Sequence, residues 1–167
     1  MPTPALTFFK FEADFVESLR CIPMQVRYKL DTCGVKLKLE HWHKFNQGDR
    51  ESLVSHPCAT PTEIDHYRDL VQATVLQYTE TPAKDLPIDP HPPWLQTTVV
   101  PADVVAQAAK FETAIGTDAW SALQPLERFA LCKLSRSGHE NRNFVSALQE
   151  FGLQASASET GGKSTSW

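Results

Sequence analysis

The first apolar positions of the chain are spaced as in an amphipathic helix. Steps of four, four and three residues separate four side chains that would form one buried stripe: Phe11, Phe15, Leu19 and Ile22. Polar residues, Glu12 among them, fall on the opposite side, where we expect solvent. Pro23 can begin a second helix, since its missing N–H would have no intrahelical partner there, and Gly34 is suited to end it. The pattern predicts a helix, a break and a second helix.

Four later segments carry the same kind of signal. Thr60-Pro61-Thr62-Glu63 predicts a capped helix start, and helical spacing continues from there to Tyr78. A helix opened by Asp103 is predicted to run through Ile115 and to end at Gly116. Pro125 begins a helix that is apolar on nearly every side, as is typical of one packed among others, and a last helix contains Phe144, Leu148 and Phe151.

The segment from Val35 to Glu40 alternates apolar and polar residues with a period of two. It is interpreted as an extended connection into a short helix at residues 40–45, or as a strand paired with residues 6–11. A further short helix is predicted at residues 48–55. Together the patterns predict an all-α fold of six to eight helices, in a single domain over residues 1–153, with little or no sheet.

Residues 81–101 are rich in proline and predict a crossover in extended conformation. Its apolar residues are expected to anchor it to the protein: Ile88, Trp94, Leu95, Val99 and Val100. A functional alternative is a docking segment for a partner, and its candidate residues are Pro87, Pro92, Pro93 and Trp94. The tail at residues 154–167 has too little apolar mass to order itself and is predicted to be disordered.

Long stretches of this sequence resemble a known family, the small bacterial nitrate reductase-associated proteins. They are FKFEADFVESLRCIPMQVRYKLDTCG at residues 9–34, QPLERFALCKLSR at 124–136 and GHENRNF at 138–144. The resemblance runs from about Phe8 to Leu153. The family name reflects genes that lie near those for nitrate reductase and molybdopterin cofactor synthesis, mostly in cyanobacteria. The resemblance transfers no functional residue to this chain.

The charge and composition of the chain exclude some classes of function. The net charge of −4 and the pI near 5.8 argue against binding to nucleic acid or to an anionic membrane, because both require a basic face. A secretory leader and a bilayer-spanning apolar run are both lacking, so we expect a cytoplasmic protein. The chain contains no phosphate-binding loop and no nucleophile signature, and therefore no catalytic residue or cofactor is predicted.

The cysteines and histidines supply the residue types that bind zinc. The four cysteines, at positions 21, 33, 58 and 132, include no CxxC pair and are predicted to be reduced thiols, with Cys33 and Cys132 buried and Cys58 the most exposed. Histidines occur near Cys58, but their spacing lacks the tight knuckle of a structural zinc site. We therefore predict no metal site.

A basic cluster is the best candidate for a functional site. Five side chains lie within fifteen residues around Ser137-Gly138: Arg128, Lys133, Arg136, His139 and Arg142. The structural explanation is that cations are favoured at the C-terminus of a helix. The functional one is that these cations, together with free N–H groups of the next helix, hold a phosphate, a carboxylate or an acidic partner.

Two functions follow. The resemblance implies a non-enzymatic accessory protein of nitrate assimilation, whose partners are nitrate reductase or the proteins that supply its molybdenum cofactor. The basic cluster suggests an alternative, a small protein that binds an anion such as nitrate or a pterin phosphate, with or without catalysis. The sequence does not indicate an oligomeric state.

Overall fold

The computed structural model describes residues 9–12, 21–136 and 141–154, including all of their side chains except those of residues 141 and 142. These residues form eight α-helices, two short 3-10 helices and a sheet of two strands. The prediction of an all-α fold with six to eight helices is confirmed. Most of the first predicted helix and the tail from residue 155 onward lie outside the described residues.

Backbone contacts divide the chain into two compact units. The first contains residue 12 and residues 21–90, and the second contains residues 9–11, 91–136 and 141–154. The division between Pro90 and His91 falls inside the predicted crossover. A single domain over residues 1–153 stays a prediction.

The first unit contains four helices and both strands. The helices are α1 (Met24–Cys33), α2 (Leu39–Lys44), α3 (Gln47–Ser55) and α4 (Pro61–Tyr78), and the strands are β1 (Val35–Lys36) and β2 (Lys84–Asp85). Their core is formed by fully buried side chains such as Val26, Trp42, Leu53 and Tyr67. The hydroxyl of Tyr67 donates to the carbonyl of Leu53 at 2.7 Å, so this buried phenol has a partner.

The helix ends of this unit are largely those that the sequence predicts. Thr60 Oγ1 accepts a hydrogen bond from the Glu63 N–H at 3.2 Å, and Glu63 Oε1 accepts from the Thr60 N–H at 3.0 Å. This reciprocal pair is the predicted capping box. Gly34 follows α1 in the left-handed region with φ 78°, and its N–H donates to the carbonyl of Leu30 at 2.9 Å. Both predictions are confirmed.

Glu12 contradicts the sequence-based expectation. It was expected on a solvent-facing side but is only 1% exposed. Its carboxylate accepts a hydrogen bond from the Met24 N–H at 3.1 Å. Because the first N–H groups of a helix lack intrahelical partners and carry partial positive charge, a buried carboxylate is stabilised at the start of α1.

The two strands pair antiparallel, with Val35 opposite Asp85 and Lys36 opposite Lys84. The alternation after Gly34 therefore does form a strand, but its partner comes from the proline-rich segment, which neither sequence interpretation named. Beyond the pair, the Leu86 N–H donates to the Gly34 carbonyl at 2.9 Å. A Cβ on Gly34 would lie 2.8 Å from Ile88 Cγ1, so only glycine allows this approach.

The second unit contains a 3-10 helix at Pro93–Leu95 and four α-helices. These are α5 (Ala102–Ala109), α6 (Thr117–Ala122), α7 (Pro125–Arg136) and α8 (Asn141–Glu150). Helix α7 is buried on most sides, as predicted, with Phe129, Ala130, Leu131, Cys132 and Leu134 all inaccessible. No helix among the described residues is both long and apolar enough to cross a bilayer.

The helix predicted from Asp103 to Ile115 is too long. Helix α5 ends at Ala109, and Glu112 takes a positive φ of 56°. Phe111 and Ile115 still face the core, since Phe111 stacks on Phe144 at 6.3 Å and Ile115 is buried. Gly116 does not end a helix but precedes the unpredicted helix α6, as its N-cap.

Candidate functional site

The basic cluster predicted from sequence is distributed over several environments. Arg128, Lys133 and Arg136 all lie on α7. Arg142 belongs to α8, but its side chain is not described, and His139 lies outside the described residues. The three cations on α7 differ in burial: Arg128 is buried, Lys133 is half-buried and Arg136 is exposed.

Arg128 is held by backbone carbonyls. Its Nε donates to the carbonyl of Trp94 at 2.6 Å, and its Nη1 donates to the carbonyl of Leu123 at 2.5 Å. Longer contacts from Nη1 reach the carbonyls of Trp120 and Ser121. Carbonyls at the C-terminus of a helix lack intrahelical donors and carry partial negative charge, so the guanidinium serves as a cap for α6. Its position also fastens the 3-10 helix to α7.

The tryptophan of the predicted docking segment lies against the same helix. The Trp94 ring meets the Phe129 ring edge to face, with centroids 4.9 Å apart. Lys133 Nζ lies 5.8 Å from the Trp94 ring centroid and 5.3 Å from that of Phe129, within the range of cation–π attraction. The two candidate sites of the sequence, the basic cluster and the docking segment, therefore meet at Trp94 and Lys133.

Arg136 extends this surface by one helical turn. Its Nε lies 3.6 Å from Asp103 Oδ2, and both side chains are more than half exposed, so this ion pair is weak and open to competition. Beside it, burial raises the pKa of the Cys132 thiol to about 11, which keeps that sulfur protonated at neutral pH.

Leu95, which follows Trp94, is 52% exposed, although leucines are usually buried. We call the surface formed by Trp94, Leu95, Lys133 and Arg136 the α7 surface. It combines a half-buried aromatic ring, an exposed aliphatic side chain and two cations.

The prolines of the predicted docking segment differ in burial. Pro92 is buried and Pro93 half-buried in the second unit, whereas Pro87 is exposed in the first. Ile88, Leu95 and Val99 were expected to anchor the segment but are mostly exposed. The anchoring contacts instead go to its backbone, since Trp120 Nε1 donates to the Gln96 carbonyl at 2.8 Å and Arg128 holds that of Trp94.

Sequence reasoning assigned Arg128 to the basic cluster and missed its structural role. Arg128 lies in the first half of α7, three and four residues before the buried Leu131 and Cys132. Helical spacing therefore places it on a buried side of the helix. That spacing was the sequence signal for the burial of Arg128. It does not identify the carbonyls that accept the hydrogen bonds of Arg128, because they come from other segments.

No group of three or more histidine, cysteine or acidic side chains suited to a metal ion occurs in the ranges that the structure covers.

The chain is thus a helical protein in which aromatic and cationic side chains lie together along one largely buried helix. The sequence model of one family, described as conserved nitrate reductase-associated protein, matches residues 8–151. The chain belongs to this family, as the sequence resemblance indicated. No curated protein and no solved structure was found to be similar to it.

Proposed function

We propose that the protein is a non-enzymatic accessory factor of nitrate assimilation that acts by contact with nitrate reductase or with the proteins that supply its molybdenum cofactor. The family description, which associates these proteins with nitrate reductase, supports the choice of partner. The observation that supports docking is the placement of Lys133 over the rings of Trp94 and Phe129, beside the exposed Leu95.

The α7 surface has the composition of an interaction hot spot. Tryptophan and arginine are enriched among the residues that contribute most binding energy, and an exposed leucine adds apolar area for a partner to cover. The two cations favour an acidic patch on the partner, because opposite charge accelerates encounter and fixes orientation. Arg128 holds the Trp94 backbone in place, so little conformational entropy is lost there on binding.

A capture assay with purified components tests the proposal. The full chain is immobilised, and the nitrate reductase of the same organism is passed over it at low and at high salt. We expect Lys133→Glu together with Arg136→Glu to reduce capture at low salt and to remove most of its salt dependence. The matched control is Lys44→Glu with Lys110→Glu, which changes the net charge equally at two exposed lysines outside the α7 surface.

Equal capture by the two double variants would refute the α7 surface as the contact. Helix content by circular dichroism should stay unchanged in both. Arg136, Lys44 and Lys110 are exposed, and exposed substitutions usually alter stability by less than about 0.5 kcal/mol. Lys133 is half-buried, and the loss of its cation–π contacts costs about 0.5–1 kcal/mol, too little to unfold the helix. Saturable binding of nitrate or a pterin phosphate by the parent, without capture of the reductase, would instead support the anion-binding alternative.

A further inference from the structure

Two of the four cysteines lie together in the first unit. Cys33 is the last residue of α1, and Cys58 is in the turn between α3 and α4. Cys33 Sγ contacts the Leu30 carbonyl at 3.7 Å, and Cys58 Sγ contacts the Lys29 carbonyl at 3.6 Å. These carbonyls belong to successive residues of α1, so the two thiols lie at neighbouring positions at the end of this helix, close enough for each to shift the pKa of the other.

The two sulfurs differ in exposure. Cys33 is 1% exposed and belongs to the core, whereas Cys58 packs against that core with part of its side chain open to solvent. A small oxidant can therefore reach Cys58 from solvent. Cys33 is shielded from solvent, so it can react only with the oxidised form of Cys58.

The surroundings of the pair favour one thiolate. Interaction with the Cys58 thiol holds the pKa of Cys33 below its ordinary value, and the same interaction raises the pKa of Cys58. Transfer of the Cys58 proton to the Cys33 thiolate would move the negative charge to Cys58. The ammonium of Lys29 is close enough to stabilise it there, and it is held in place by the carbonyls of Val54 and His56 at 2.7 and 2.6 Å.

We propose that Cys33 and Cys58 form a redox-active dithiol, which a hydroperoxide converts into a disulfide within the chain. The Cys58 thiolate attacks one peroxide oxygen, the O–O bond breaks, and Cys58 becomes a sulfenic acid while hydroxide leaves. Hydroxide takes the proton of Cys33. The Cys33 sulfur then attacks the Cys58 sulfur, the S–S bond forms, and the S–O bond breaks with release of a second hydroxide, which is protonated to water.

The overall balance is two thiols and one hydrogen peroxide giving one disulfide and two waters. Two electrons pass from the sulfurs to the peroxide. A small-molecule thiol reverses the change by exchange. The bond joins the end of α1 to the α3–α4 turn, so oxidation changes how firmly these segments are held together.

The test uses the full chain, fully reduced, freed of reductant and exposed to stoichiometric hydrogen peroxide. Intact mass and non-reducing peptide mapping then identify the products. We expect the loss of two hydrogens per chain, one Cys33–Cys58 linkage, and recovery of both thiols with dithiothreitol. Cys58→Ser should abolish the linkage. Cys21→Ser removes another partly exposed thiol and should leave its rate unchanged, as a matched control.

Three results would overturn the proposal. They are a sulfinic acid at Cys58 beside an intact Cys33 thiol, a disulfide that includes Cys21, and persistence of both thiols while Cys21 is oxidised. Each would show that the two thiols, although neighbours at the end of α1, do not react with each other.

Discussion

Arg128 gives the strongest stability prediction of this structure. Arg128→Met keeps most of the apolar volume of the side chain but removes the donors to the carbonyls of Trp94 and Leu123. A hydrogen bond from a charged group contributes about 1.5–3 kcal/mol, so two such bonds contribute about 3–6 kcal/mol. The variant also avoids the cost of burying a cation, which reduces the net loss. We expect the free energy of unfolding to fall by about 3 kcal/mol.

Urea unfolding followed by far-ultraviolet circular dichroism measures this loss. For a slope of about 2 kcal/mol/M, the midpoint should move down by about 1.5 M. Arg136→Met is the matched control, because it removes the same charge from the same helix at an exposed ion pair worth about 0–1 kcal/mol. If both variants unfold at the same midpoint, the carbonyl contacts of Arg128 do not stabilise the protein and the reasoning is wrong.

Other predictions concern glycine positions, pH and the basic cluster. Gly34→Ala should lower the free energy of unfolding, measured in urea, by about 2 kcal/mol. Gly152→Ala should lower it by less, because both glycines have φ 78° but only at Gly34 would an added Cβ clash with neighbouring atoms. Hydrogen bonds from the Thr60 and Ala59 N–H groups lower the pKa of the Glu63 carboxyl in the folded protein. The contribution of Glu63 to stability should therefore be complete above about pH 4.3, the ordinary pKa of a glutamate, and should be lost as the pH falls through the lower pKa of the folded state. Unfolding experiments across this pH range should show that Glu63→Gln removes this part of the pH dependence of stability. Arg136→Glu with Arg142→Glu should leave the fold intact but weaken salt-dependent capture of nitrate reductase; unchanged capture at low salt would count against the basic cluster.

Local signals account for the parts of the fold that the sequence predicts well. The capping box of Thr60 and Glu63 and the left-handed Gly34 depend on residues within four positions, and the structure has both. Gly116 shows the limit of such signals, because a glycine after helically spaced apolar residues suits either a helix end or an N-cap. Phe111 and Ile115 keep apolar spacing without a helix, since a turn at Glu112 brings them to the core.

The parts of the fold and of the candidate site that the sequence does not predict depend on contacts between segments far apart in the chain. The partner of β1 comes from beyond α4, and no residue next to Val35 specifies it. The same holds for the candidate site. The sequence lists Trp94 and Lys133 in two separate candidates, and only the packing of the 3-10 helix on α7 makes them neighbours. The charge of Arg128 predicts a position at the surface, but in the structure this side chain donates hydrogen bonds to carbonyls of other segments.

The small sheet also affects whether copies of this chain can associate through their strand edges. A sheet edge presents unpaired N–H and C=O groups to which a strand of another molecule can add. Here each strand has two residues, and Lys36 lies directly opposite Lys84. These side chains and Asp85 are exposed, and Asp85 pairs with Arg68 at 2.9 Å. An incoming strand would find little backbone to pair with and charged side chains beside it, so this sheet is a poor template for aggregation even at high protein concentration.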